Sequence, residues 1–174
     1  TQLAAAVAAR CKEEGWPLVA WIHAASRKHI IANLYQLALQ IGIDAPKNIP
    51  LEVIVQRLLD RLRSAEVANR LFVFDNVENP DDLKGLIPEG AGVRTLVTTP
   101  HHLGWDRLGW LRLTVGAFDR EQSVSLLCEH TGDTHRDAAD RIADALGDVP
   151  VAITQAAATA PQGGYSLSGY LNRL

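Results

Sequence analysis

Residues 70–80 read RLFVFDNVENP, four consecutive apolar side chains from Leu71 to Phe74 that stop on Asp75 and Asn76. A short apolar run bounded by turn formers predicts a strand buried on both faces, as in the interior of a parallel sheet. The acid that ends it has two readings. It caps a turn, a role that suits Asp and Asn, or it presents a carboxylate at the carboxyl edge of a sheet, where doubly wound folds bind their ligands.

The flanking sequence supports a sheet wrapped by helices. Upstream, LEVIVQRLLDRLRSA places Ile54, Leu58 and Leu62 on one stripe, with Arg57, Asp60, Arg61 and Arg63 elsewhere, which predicts an amphipathic helix. SRKHIIANLYQLALQIG opens on Ser26 as an N-cap, carries Ile30, Leu34, Leu37 and Ile41 at helical spacing, and stops at Gly42. WPLVAWIHA, residues 16–24, reads as a second strand buried on both faces, and QLAAAVAARCKEE, residues 2–14, as a helix ended by Gly15. Downstream, VRTLVTT at 93–99 predicts a strand and LRLTV at 111–115 a further one, with a short helix expected around Asp81 to Leu86. Beyond Asp119 only helical patterns remain, punctuated by Gly132, Gly147 and Gly163 with Gly164. The expected class is α/β: a parallel sheet flanked by helices over residues 1–117, then a small all-helical subdomain over 118–174.

Composition narrows the functions. The 174 residues are 47% hydrophobic and 21% charged, enough for a globular core, and no apolar run approaches the roughly 18 residues of a spanning helix. A formal charge of −3 argues against a surface built for nucleic acid, so no direct nucleic-acid contact and no membrane contact are expected. Cys11 and Cys128 lack CxxC spacing, which predicts two reduced, buried thiols and a cytoplasmic setting. The histidines lack zinc-ligand spacing and no G-x-S-x-G elbow is present.

Two other places can share a site with Asp75. In LVTTP, Thr98 and Thr99 fall at the tip of a neighbouring strand, where hydroxyls can meet a terminal phosphate or its water; otherwise they are simply good strand formers. Thr1 opens the first helix, and a hydroxyl there can ligate Mg²⁺ if a phosphate loop precedes it. The chain begins on Thr1 and contains no methionine, from which a longer parent is expected.

From TQLAAAVA and VAWIHA through LFVFDNVENPDDLKGLIP, RTLVTT, VGAFDREQSVSLL and GDVPVAITQAAA to SLSGYL, the order and spacing of motifs resemble the NB-ARC nucleotide-binding domain of the signal-transduction (STAND) NTPases, in its bacterial regulator form. The resemblance implies a P-loop NTPase-like fold that binds ATP or ADP with Mg²⁺ and acts as a switch in signalling or transcriptional regulation, through self-association or through effector and sensor domains of the same chain. Residue by residue, it implies that Thr1 closes the phosphate loop and ligates Mg²⁺ with the Walker B acid Asp75. It puts Asn76 where many members have a second, catalytic acid, Thr98 and Thr99 on the sensor strand, and Pro150 of GDVP against adenine. Pro150 is equally a first-turn helix proline.

Departures temper the implied activity. Asn76 cannot act as a base, and Pro100 stands where the sensor strand ordinarily continues into an arginine, with His101, His102 and Arg107 as nearby substitutes. Slow hydrolysis is expected; the alternative is a non-catalytic interaction module of the same fold. The family sheet is further expected to place its phosphate-loop strand between the strands ending at Asp75 and Thr98, leaving two inner edges unpaired here. Trp105 and Trp110 are expected to anchor sheet to helices or to wall a ligand.

Overall fold

The computed structural model describes residues 1–101, 105 and 109–174. They form two compact units, Thr1–Leu111 and Arg112–Leu174, each with its own apolar core.

The first unit runs α1 (Gln2–Glu13), β1 (Leu18–His23), α2 (Arg27–Gln40), α3 (Leu51–Ser64), β2 (Arg70–Asp75), a 3₁₀ turn (Pro80–Leu83) and β3 (Val93–Val97). The strands form one parallel sheet in the order β1-β2-β3. Alternation sends Phe72 and Phe74 to one face, with Ala20 and Ile22, against Ile30 and Leu34 of α2 and Ile54 and Leu58 of α3. Leu71 and Val73 project to the other face, against Ala4, Ala8 and Cys11 of α1. Each fully buried Leu, Ile or Phe contributes roughly 1.5–3 kcal/mol, so the apolar run of β2 fixes both layers at once.

Local chemistry sets the boundaries. Ser26 caps α2, its Oγ accepting the His29 N–H at 3.4 Å. Gly92, just before β3, has φ +80°, and a Cβ there would lie 2.3 Å from the Ala68 carbonyl oxygen, so only glycine lets these backbones approach. That approach brings the Gly92 carbonyl to the Arg70 N–H at 2.9 Å and starts the β2–β3 register.

Four expectations are corrected. First, no gap separates β2 from β3: they pair directly from Arg70↔Val93 to Phe74↔Val97, because β2 is the central strand and satisfies its backbone on both sides. Among the described residues the far side of β3 is unpaired, and parity turns the N–H and C=O of Thr95 and Val97 away from β2. Second, β1 is an edge strand with Trp21 40% exposed and His23 exposed, since α1 lies over Leu71 and Val73 of β2. Third, residues 111–115 form no strand. Leu111, Leu113 and Val115 are 88%, 73% and 70% exposed, and alternation that pairs with no other strand does not make a strand. The helix expected around Asp81 to Leu86 is the shorter 3₁₀ turn, started by Pro80 and capped by Asn79 Oδ1, which accepts the Asp81 N–H at 3.0 Å.

The second unit contains α4 (Arg120–Thr131), α5 (Arg136–Ala145), α6 (Pro150–Gln162) and α7 (Leu167–Leu171). Val124, Leu127, Ile142, Ile153 and Leu167 pack with Ala139, Ala143, Ala156 and Ala157, small residues that let the helices approach closely. Asp133 joins two of its elements: Oδ1 accepts the His135 N–H at 3.0 Å and Oδ2 the Leu167 N–H at 2.9 Å. These backbone donors, His135 first, hold its pKa down to about 2. Among the described residues no helix is long and apolar enough to cross a membrane.

Candidate functional site at the carboxyl end of the sheet

The strand ends at Asp75 because Asn76 turns into the left-handed region, with φ 63°. Asn is among the few side chains that tolerate this. The Asn76 N–H then donates to Thr98 Oγ1 at 2.9 Å, and Thr98 gives its single hydroxyl proton to Asp75 Oδ1 at 2.6 Å. Thr98 is positioned in turn by its backbone, its N–H on Phe74 O at 2.9 Å and its carbonyl accepting the Val77 N–H at 2.8 Å. A second hydroxyl, Thr1 Oγ1, donates to the same Oδ1 at 2.9 Å. Thr1 occupies the N-cap position of α1 but makes no capping bond with its side chain. Among the described residues, Asp75 Oδ2 accepts no hydrogen bond, and the side chain is 13% exposed.

The two threonines have different roles. Thr99 Oγ1 accepts the His101 N–H at 3.1 Å and so belongs to its own loop. Thr1, Asp75 and Thr98 thus come together, the Asn76 backbone joins them, and the Asn76 amide makes no described hydrogen bond. His102 and Arg107 lie outside the described residues. Trp105 is 5% exposed in the core of the first unit, its ring edge-on to Trp110 at 5.9 Å.

Pro150 is in the second unit, at the first position of α6, after two left-handed residues, Gly147 at φ 62° and Asp148 at φ 55°. Asp148 is gripped by Arg120, whose Nε donates to Oδ1 at 3.0 Å and Nη2 to Oδ2 at 2.9 Å. The same guanidinium reaches Asp144 at 3.1 Å and Asp140 at 3.3 Å. Arg120 holds the Asp148 carboxyl below its ordinary range, and Asp148, then Asp144, holds the guanidinium above its own. Sequence reasoning missed this hub, although Asp140, Asp144 and Asp148 at intervals of four are a readable signal.

One carboxylate and two hydroxyl oxygens form a hard donor set that suits Mg²⁺, an ion that keeps several waters, better than a softer metal. Among the described residues no group of three or more His, Cys, Asp or Glu side chains is placed to hold a metal. Compared with known families and with curated proteins, the chain matches no family model and no curated sequence.

Proposed function

We propose that the chain is the core of an ATP/ADP-binding switch of the NB-ARC type, on a P-loop NTPase-like fold, in which Asp75 holds Mg²⁺ beside the phosphates. One observation supports the reading above the rest: Asp75, at the carboxyl end of β2, is oriented by the Thr98 and Thr1 hydroxyls through Oδ1 while Oδ2 stays uncommitted. A carboxylate fixed on one side and open on the other is prepared for a cation.

When bound, Mg²⁺ supplies positive charge against the phosphate oxygens. Thr98 fixes the carboxylate rotamer, and Thr1 turns a hydroxyl toward the same place. Asn76 offers no proton acceptor and Pro100 neither N–H nor charge, so nucleotide identity rather than rapid turnover sets the state. The switch works in the cytoplasm and controls self-association or the effector and sensor domains of its own chain.

Calorimetric titration of the full-length protein with ADP and ATP, with and without Mg²⁺, tests this. The wild type binds, and Asp75→Ala weakens the Mg²⁺-dependent part by roughly 10–100-fold, as loss of a group that holds a metal does. A wild type that binds neither nucleotide overturns the reading and leaves a non-catalytic interaction module of the same fold.

A further inference from the structure

His23 ends β1 in direct register with Asp75, and the Ala24 N–H on Asp75 O at 2.8 Å locks that register at the carboxyl end. Partners in a parallel register share a face, and neighbouring strands lie roughly 4.7–4.9 Å apart, so the His23 side chain leaves the backbone on the Asp75 face of the sheet, one strand over. It is exposed. Its surroundings hold it in place: the His23 N–H donates to Asn33 Oδ1 at 3.3 Å, and Asn33 Nδ2 donates to the His29 carbonyl at 3.0 Å. The His29 ring packs edge-on against it at 5.2 Å and 70°, with Nδ1 of His29 2.9 Å from Ser26 Oγ. Among the described residues, no hydrogen bond engages a His23 ring nitrogen.

We infer that His23 supplies the proton acceptor that the Asn76 position lacks, taking the proton of the water that attacks the terminal phosphate of a nucleoside triphosphate held at Asp75. In this step the water oxygen bonds to the γ-phosphorus, and the bond from that phosphorus to the β–γ bridging oxygen breaks with its electron pair. One water proton passes to the imidazole and then to solvent. The products are the diphosphate and inorganic phosphate. A histidine suits the task because a ring nitrogen can present a lone pair to the proton. The inference rests on the nucleotide reading, and the strand pairing that places His23 does not depend on it.

The test uses the full-length protein and two readouts. In His23→Ala, hydrolysis falls about 100-fold, the lower end for loss of a general base, while Mg²⁺–ADP affinity stays within about twofold of wild type. His23→Gln keeps a polar side chain that can orient water but takes no proton, and it is as slow as His23→Ala. Independently of turnover, the ring resonances of His23 shift more on binding a non-hydrolysable triphosphate analogue than on binding the diphosphate. Wild-type hydrolysis in His23→Ala, a fully active His23→Gln, or ring resonances blind to the γ-phosphate overturns the assignment while leaving the nucleotide reading standing. A wild type that binds no nucleotide overturns both.

Discussion

Asn76 and Asp148 are the two non-glycine residues with positive φ among those described, and each marks a carboxylate placed differently. Beside Asn76, the Asp75 carboxylate is satisfied on one oxygen by two hydroxyls and open on the other. Asp148, itself left-handed, has both oxygens taken by the guanidinium of Arg120. A fully used carboxylate has nothing left for a ligand, and its work is to hold the α5–α6 turn against the start of α4. A half-used one keeps its position and retains an acceptor. The same local device, a tight left-handed turn at the end of an element, therefore serves structure in one unit and exposes a candidate site in the other.

The comparison is tested most strongly by neutralising each carboxylate. Asp75→Asn keeps an oxygen for both hydroxyl donors, so it leaves thermal stability near wild type while weakening Mg²⁺–nucleotide binding by roughly 10–100-fold. Asp148→Asn lowers stability and leaves Mg²⁺–nucleotide affinity unchanged. Melting curves and titrations on the same samples separate the two outcomes; a common response to both changes would erase the distinction.

The second unit also depends more on charge, which acid exposes. Asp133 is held down to about 2 by backbone donors from His135 and Leu167, and Asp148 is lowered by Arg120. Both pKa values are depressed on folding. The stability they contribute is therefore complete above the ordinary value of 3.8 and is lost as pH falls from there toward about 2. All four tryptophans, Trp16, Trp21, Trp105 and Trp110, lie in the first unit, so their fluorescence reports it alone. On acidification, helical circular dichroism drops before tryptophan emission shifts, and Asp133→Asn flattens the early phase. Arg120→Met, which leaves three carboxylates without their cation, lowers the thermal midpoint of the helical signal at neutral pH.

Within the first unit the sharper contrast is between neighbours. Thr98→Val removes the donor to Asp75 and the acceptor for Asn76 N–H together, two part-buried bonds, and costs about 1–3 kcal/mol. Thr99→Val touches an exposed loop bond and stays within about 0.5 kcal/mol. Urea midpoints of the two variants decide whether Thr98 alone carries the arrangement.

Which threonine faces Asp75 was not legible in LVTTP, because a one-residue change of register exchanges the faces of a strand. Asp75 itself was legible, since an apolar run that stops on an acid marks a strand end without any partner being known. His23 was not, because its place beside Asp75 comes from pairing between strands joined by two intervening helices, α2 and α3. The Arg120–Asp148 contact spans 28 residues and needs a left-handed aspartate, a conformation that composition does not announce. LRLTV misled for a related reason: its alternation satisfies a strand locally, whereas residues 111–115 pair with no strand and leave Leu111, Leu113 and Val115 exposed.

The smallest effect distinguishes the turns themselves. At Asn76, glycine removes the steric cost of φ 63° but adds freedom to the unfolded chain, and the Asn76 amide makes no described hydrogen bond to lose. These terms oppose each other, so Asn76→Gly changes stability by no more than about 0.5 kcal/mol. At Asp148 glycine removes the same strain but also the three hydrogen bonds from Arg120, and the protein is clearly destabilised. Paired urea melts of Asn76→Gly and Asp148→Gly thus compare the same backbone relief with and without a carboxylate to lose. A marked loss in Asn76→Gly would mean that its side chain, rather than the backbone turn it permits, holds the end of β2.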